Sequence, residues 1–308
     1  MLSRIAESLF WIGRYVERAD GTARILDVNL ERLNQLPTAE QALVSRQLLG
    51  VMGAVPDGPD FGMGDLLNRL AFDRGTTTSI AGALGAAREN ARRARETVSS
   101  SLWEGLNTTW YGLNQHRKDV VGTYRFCHWV LERTAMIKGL SDTTMSHDES
   151  WQFLALGRSL ERADMTARML STQGVLSAGL SWVNMLRCAG AYEAFLRTRR
   201  GAAGEEQAAE FLLLDRLFPR SIVYALSDAE RALERLDPSY RRIGFITDAR
   251  RIVGQARSFL EFHQPADLLA ELPAHMDRVQ RSCAQASDAV TRTYFAQPID
   301  LSWVGEVS

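Results

Sequence analysis

The residues best equipped for chemistry in this chain come in a phrase written twice. GRYVERADGTAR runs from Gly13 to Arg24, and GRSLERADMTAR runs from Gly157 to Arg168. The first copy carries Arg14, Glu17, Arg18, Asp20 and Arg24. The second carries Arg158, Glu161, Arg162, Asp164 and Arg168. Arginine forks hold carboxylates and phosphates at two points, and carboxylates in turn hold amines. A carboxylate free of such partners can serve as a general base. The phrase therefore fits three roles: a receptor for an anion or zwitterion, a buried structural network, or a solvated charged face. Glu17 and Glu161 are the candidate catalytic groups. The arginines beside each of them should lower its pKa, which favours binding over base catalysis.

A helix turns about 100° per residue, and on that wheel Trp11, Ile12, Tyr15, Val16, Ala19, Ala23 and Leu26 share one side. Arg14, Glu17, Gly21 and Arg24 fall opposite. Spacings of three and four predict pairs within each helix: Arg14 with Glu17, Asp20 with Arg24, Arg158 with Glu161, and Asp164 with Arg168. Ten of the fourteen positions from Gly13 to Leu26 match their counterparts. A solvated face would not need such specific residues, whereas breaking a buried ion pair costs about 3–5 kcal/mol. Glycine in mid-helix costs about 1 kcal/mol relative to alanine, so Gly13 and Gly157 predict close approach by a backbone or a ligand.

A second pair of segments repeats in the same order. DRGTTTSIAGALGAA (73–87) resembles DRLFPRSIVYALSDA (215–229). Two matched motifs suggest an internal duplication. They predict an all-α bundle of two similar, pseudo-symmetric halves, residues 1–143 and 144–308, in one unit joined near 141–146. About 12 helices are expected, over 3–35, 39–53, 64–72, 79–99, 101–113, 116–140, 147–172, 177–199, 204–216, 219–236, 239–262 and 267–294. Ser146 and Glu149 form an S-x-x-E capping box at the start of the seventh. The tail 296–308 is expected to be extended.

Composition removes several classes. The net charge of −1 argues against a nucleic-acid binder. Lys118 and Lys138 are the only lysines, so Schiff-base and P-loop chemistry lose most of their candidates. Cys127, Cys188 and Cys283 are far apart and suggest no disulfide framework. Zinc signatures, Glu-x-x-His pairs and nucleotide loops are missing from the sequence, so neither metal nor cofactor is expected. No apolar run approaches the ~20 residues of a membrane span, and Glu7, Arg14 and Glu17 interrupt the N-terminal stretch. A cytoplasmic protein is expected. Secondary candidates lie in ARENARRARE (87–96), with Arg88 and Arg92 along one helix edge. Others lie in SLWEGLN (101–107), where Glu104 and Asn107 could face the same cleft as the doubled phrase.

The doubled G-R-x-x-E-R-A-D phrase, with ARENAR (87–92) and W-E-G-L-N (103–107), resembles the alpha-E family. This is a bacterial helical domain named for its Glu–Arg motif, and the likeness covers essentially the whole chain. The resemblance implies an all-helical protein encoded beside a circularly permuted ATP-grasp ligase and a transglutaminase-like cysteine peptidase. That setting implies a role in making or modifying a peptide-like product. The Glu–Arg positions of the motif fall on Glu17–Arg18 and Glu161–Arg162. Met165 stands where the first copy has Gly21, so the two sites need not be equivalent.

The leading expectation is a non-catalytic or co-catalytic partner of such a ligase, without independent activity. It would bind the ligase, or an amino-acid or peptide substrate, through paired Glu–Arg helices. One alternative is an acyl or aminoacyl transferase with Glu17 or Glu161 as base. The other is a purely structural subunit of a homo-oligomer.

Overall fold

The two phrases lie on two long helices, α1 (Ser3–Gln35) and α7 (Glu149–Ser171), which touch at their glycines. The computed structural model describes residues 1–56, 58, 61–116, 118–171, 181–198, 204–237 and 247–295. A β carbon on Gly13 would stand 2.1 Å from the Leu154 carbonyl oxygen. One on Gly157 would stand 2.0 Å from the Phe10 carbonyl oxygen. Each glycine thus rests on the carbonyl three residues before the other. Any side chain would wedge the rods apart. Gly21 faces Met165, whose Cε would lie 2.9 Å from an added β carbon. The mismatch between the two phrases is a knob seated over a missing side chain.

The remaining helices are α2 (Thr38–Val51), α3 (Met63–Leu67), α4 (Ile80–Arg93), α5 (Ser100–Gly112), α6 (Val120–Thr144), α8 (Trp182–Cys188), α9 (Tyr192–Thr198), α10 (Glu205–Leu214), α11 (Ile222–Leu236), α12 (Asp248–Glu261), α13 (Pro265–Ala270) and α14 (Leu272–Val290). The described residues contain fourteen α-helices and no strand, so the fold is all-α. Helix α1 packs on α4 and α6, and α7 packs on α11 and α14. Helix α5 bridges α4 and α6; α12 bridges α11 and α14. One apolar cluster gathers Leu26, Leu30, Leu48, Leu66 and Phe126. The other gathers Phe10, Phe153, Leu226 and Met276.

The repeated D-x5-S segments make the same joint twice. Asp73 accepts from the Gly75 amide at 2.8 Å, and Asp215 accepts from the Leu217 and Phe218 amides at 2.9 and 2.7 Å. Ser79 then caps α4 by accepting from the Gly82 amide at 2.9 Å, and Ser221 caps α11 by accepting from the Tyr224 amide at 3.1 Å. Each serine hydroxyl also donates to the carbonyl of its own aspartate. A capping side chain satisfies an orphan amide of the first turn, typically for about 1 kcal/mol.

Several helix boundaries differ from the sequence expectation: α4 ends at Arg93, short of 99, and α6 runs Val120–Thr144 instead of 116–140. The helix expected over 177–199 is two, α8 and α9, separated at Gly190, whose φ of 62° suits glycine. The one expected over 267–294 is also two, because α13 ends at Ala270 and α14 restarts with Pro273 in its first turn. The cap of α7 is Asp148, not Ser146: its carboxylate accepts from the Ser150 and Trp151 amides at 2.9 and 3.4 Å. Ser146 lies two residues before it. Residues 238–246, within another expected helix, and the tail 296–308 lie outside the described residues.

Candidate functional site

The ion pairs of the doubled phrase are exchanged between the rods. Glu161 on α7 accepts from Arg18 of α1 at 2.5 and 2.9 Å and from Arg14 of α1 at 2.7 Å. Glu17 on α1 accepts from Arg162 of α7 at 3.0 and 3.1 Å. The expected pairs Arg14–Glu17 and Arg158–Glu161 are therefore corrected. Arg14 crosses to Glu161, and Arg158 turns outward to Asp142 at 3.1 Å. The reason is tertiary: the rods touch backbone to backbone, so the facing helix lies nearer than the next turn of the same one. The expected pairs within one helix, Asp20–Arg24 and Asp164–Arg168, do form, at 2.9 and 2.7 Å.

The first acidic pair collects more cations than the second. Arg220, in the joint before α11, reaches both Glu17, at 2.5 Å, and Asp20. Lys138 of α6 lies 3.0 Å from Asp20 and 3.6 Å from Glu17. The Thr134 hydroxyl donates to Asp20 at 2.9 Å. Glu17, Asp20 and Glu161 are each 1 % exposed. Burial alone pushes the Glu17 carboxyl up, but Arg162, Arg220 and Lys138 outweigh it and hold it well below the ordinary range. Asp20 is held down in the same way by Arg220, Lys138 and Arg24. Glu161 is lowered because Arg14 and Arg18 overcome its burial. Asp164 goes the other way: burial raises it, and Arg168 does not compensate.

The last arginine of each phrase also reaches across. The Arg24 guanidinium lies under Gly190 at the end of α8. That of Arg168 lies under Gly53, just past α2. Both glycines have positive φ, 62° and 72°, and a β carbon on either would stand 2.6 or 2.9 Å from the guanidinium. Each cation sits just past the C-terminus of a helix, the negative end of its dipole.

A family model described as a predicted alpha-helical domain with a conserved ER motif matches residues 1–295. The chain belongs to the alpha-E family. It is similar, at 25% identity, to uncharacterized proteins of Mycobacterium bovis and Mycobacterium tuberculosis, and at 26% to one from a second strain of M. tuberculosis. In each case 96% of this chain is covered. The chain spans only 37% of the length of these relatives. No solved structure matches.

In this alpha-E domain the secondary candidates lie apart from the crossing. Arg88 donates to Asn107 at 2.7 Å and lies over the Trp103 and Tyr111 rings. Arg92 is exposed and pairs with Glu89 at 2.7 Å. Glu104 is exposed on α5. Asn107 thus ties α5 to α4, and the expectation that it joins the Glu–Arg cleft with Glu104 is corrected.

Sequence reading missed Arg220, Lys138 and Thr134. Lys138 left a signal, as one of only two lysines among many arginines. Arg220 sits beside the repeated Ser221 in a position where the first segment has Thr78, so the comparison of repeats passed over it. Among the described residues no three His, Cys, Asp or Glu side chains gather as metal ligands. No described helix is long and apolar enough to cross a membrane.

Proposed function

We propose that this alpha-E domain is a non-catalytic partner module of a bacterial peptide-synthesis or peptide-modification system, working in the cytoplasm beside an ATP-grasp-type ligase. In this reading the doubled Glu–Arg phrase is the internal lock of the module and leaves docking to other surfaces. One observation carries it. Both motif glutamates are buried, saturated by guanidinium groups of the opposite rod, and lowered in pKa. A general base needs a carboxylate that can take a proton near neutral pH and reach a substrate. These two meet neither condition, which argues against the transferase alternative. The partner expectation is supported by family membership. It is also supported by the mycobacterial relatives, in which the matched segment is a minor part of a longer polypeptide.

Co-purification of the tagged full chain from its native host, with mass spectrometry of bound proteins, tests the reading. An ATP-grasp protein recovered in stoichiometric amount is the expected result. Recovery of the domain without one overturns it.

A further inference from the structure

We propose that the cleft between α1 and α4 binds a free amino acid or short peptide by its two charged ends, with an aromatic side chain laid on Trp11. The cleft is about 680 Å³, within the range of roughly 300–1,000 Å³ typical of small-molecule sites. Its floor is a pair of stacked rings, Trp11 and Tyr15, with centroids 5.2 Å apart and planes 24° from parallel. The Glu–Arg lock adjoins those rings. Arg14 lies 5.6 Å from the Trp11 ring centroid and Arg18 lies 5.6 Å from that of Tyr15, and both guanidiniums are pinned to Glu161.

The walls carry both signs of charge. Arg4 and Glu7 rise from α1, and Asn90 and Arg93 from α4. Arg4 and Glu7 are exposed and make no ion pair among the described residues. Among the described residues, the ion pair of Arg93 is with Glu89 of its own helix, at 3.5 Å. Two guanidiniums suit a carboxylate, and the Glu7 carboxylate suits an ammonium. A ring between them finds an aromatic partner, worth about 0.5–1.5 kcal/mol beyond buried area. A nucleoside monophosphate would satisfy the arginines but set a second negative charge against Glu7. The corresponding cleft between α7 and α11 is about 180 Å³ and has Ala155 and Ser159 where this one has Trp11 and Tyr15. Its one ring, Trp151, stands where this one has Glu7, so it lacks both the paired rings and that carboxylate and serves as an internal control.

This inference deepens the peptide-system reading and rests on it for biological role only. Co-purification decides the ligase, and binding to the isolated full chain decides the cleft, so either can fail alone. The probes are glycyl-phenylalanine, glycyl-tyrosine and glycyl-tryptophan, observed by saturation-transfer NMR. Saturation of their ring protons is expected with the wild-type chain. Arg93→Glu and Trp11→Ala are each expected to weaken binding at least about tenfold, as is capping both peptide ends, whereas Arg235→Glu in the smaller cleft leaves it unchanged. If Trp11→Ala does not fold, the exposed Arg93→Glu decides. Any of three results overturns the proposal: no saturation with any dipeptide, equal binding of capped dipeptides, or undiminished binding by Arg93→Glu. Displacement of the dipeptides by a tenfold lower concentration of adenosine monophosphate would also overturn it, in favour of a nucleotide.

Discussion

Asp20 and Asp164 occupy the same place in the same phrase, yet their protons behave in opposite ways. Asp20 is held down by Arg220, Lys138 and Arg24, while Asp164 is raised by burial that Arg168 does not offset. The local sequence around them is nearly identical, so the difference comes from what the surrounding helices bring. Helix α6 supplies Thr134 and Lys138 to Asp20. Beside Asp164, α14 brings Cys283, whose thiol burial keeps neutral, and carries Ser287 four residues on. Ser287 is used instead by Arg14, whose guanidinium donates to it at 3.0 Å. Arg220 has Thr78 as its sequence counterpart. A duplicated motif can thus keep its lock, the crossed Glu–Arg pairs, while its second carboxylate diverges.

The sharpest way to break the comparison is to remove one of the two cations that only one end has. Arg220→Met leaves Glu17 and Asp20 buried with fewer partners and is expected to cost about 3–5 kcal/mol in urea unfolding. A cost near zero would mean that Lys138 and Arg162 suffice and that the two ends are equivalent. Next come the glycines. Gly13→Ala and Gly157→Ala each drive a β carbon into a backbone carbonyl, and each is expected to cost about 3 kcal/mol, at the upper end for overpacking. Equal losses support a reciprocal crossing; a loss from only one would show that the rods can shift past the other.

The aspartates themselves provide the third test. Asp20→Asn breaks several charge-assisted bonds and is expected to cost about 2–3 kcal/mol at pH 7. Asp164→Asn is expected to change stability by less than about 1 kcal/mol, since its charged form is poorly compensated. The pH profile should separate them further. Glu17, Asp20 and Glu161 have lowered pKa values in the fold. Their stabilisation is present above the unfolded carboxylate pKa of about 4 and is lost as pH falls through the folded values. Asp164, being raised, contributes with opposite sign: between its unfolded and folded pKa the fold holds the extra proton, so stability falls as pH rises through that window. Asp20→Asn should therefore flatten the acid limb of a stability profile, and Asp164→Asn should steepen it. The smallest expected effect is at the helix ends. Arg24→Ala and Arg168→Ala remove a partly exposed cation beside a helix C-terminus and a pair within one helix, for about 1 kcal/mol each.

Much of this was legible in the residues. Periodicity placed α1 over 3–35, where it lies, and the glycine cost announced a close crossing. The repeated segments 73–87 and 215–229 pointed to a duplication, while the capped joint that each copy forms is a matter of its hydrogen bonds. Pairing was less legible. Spacing rules see one helix at a time, so they matched Arg14 to Glu17 when its partner stands on the other rod. They placed Trp11 and Tyr15 on a core stripe, and both rings do pack against the core, but they are only half-buried and also line the cleft beside Asn90 and Arg93 of α4.

By itself the sequence determined that the chain is helical, that two of its helices carry one charged phrase, and that glycine marks where each must be approached. These are local matters, decided by 3.6-residue periodicity, capping chemistry and the absence of a side chain. Only the tertiary structure decided which carboxylate meets which guanidinium, that Arg220 and Lys138 favour one end, and that the pKa values of the two aspartates shift in opposite directions. Coulombic partners and desolvation depend on distances across the fold, and residues a hundred positions apart set those distances only once the rods have crossed.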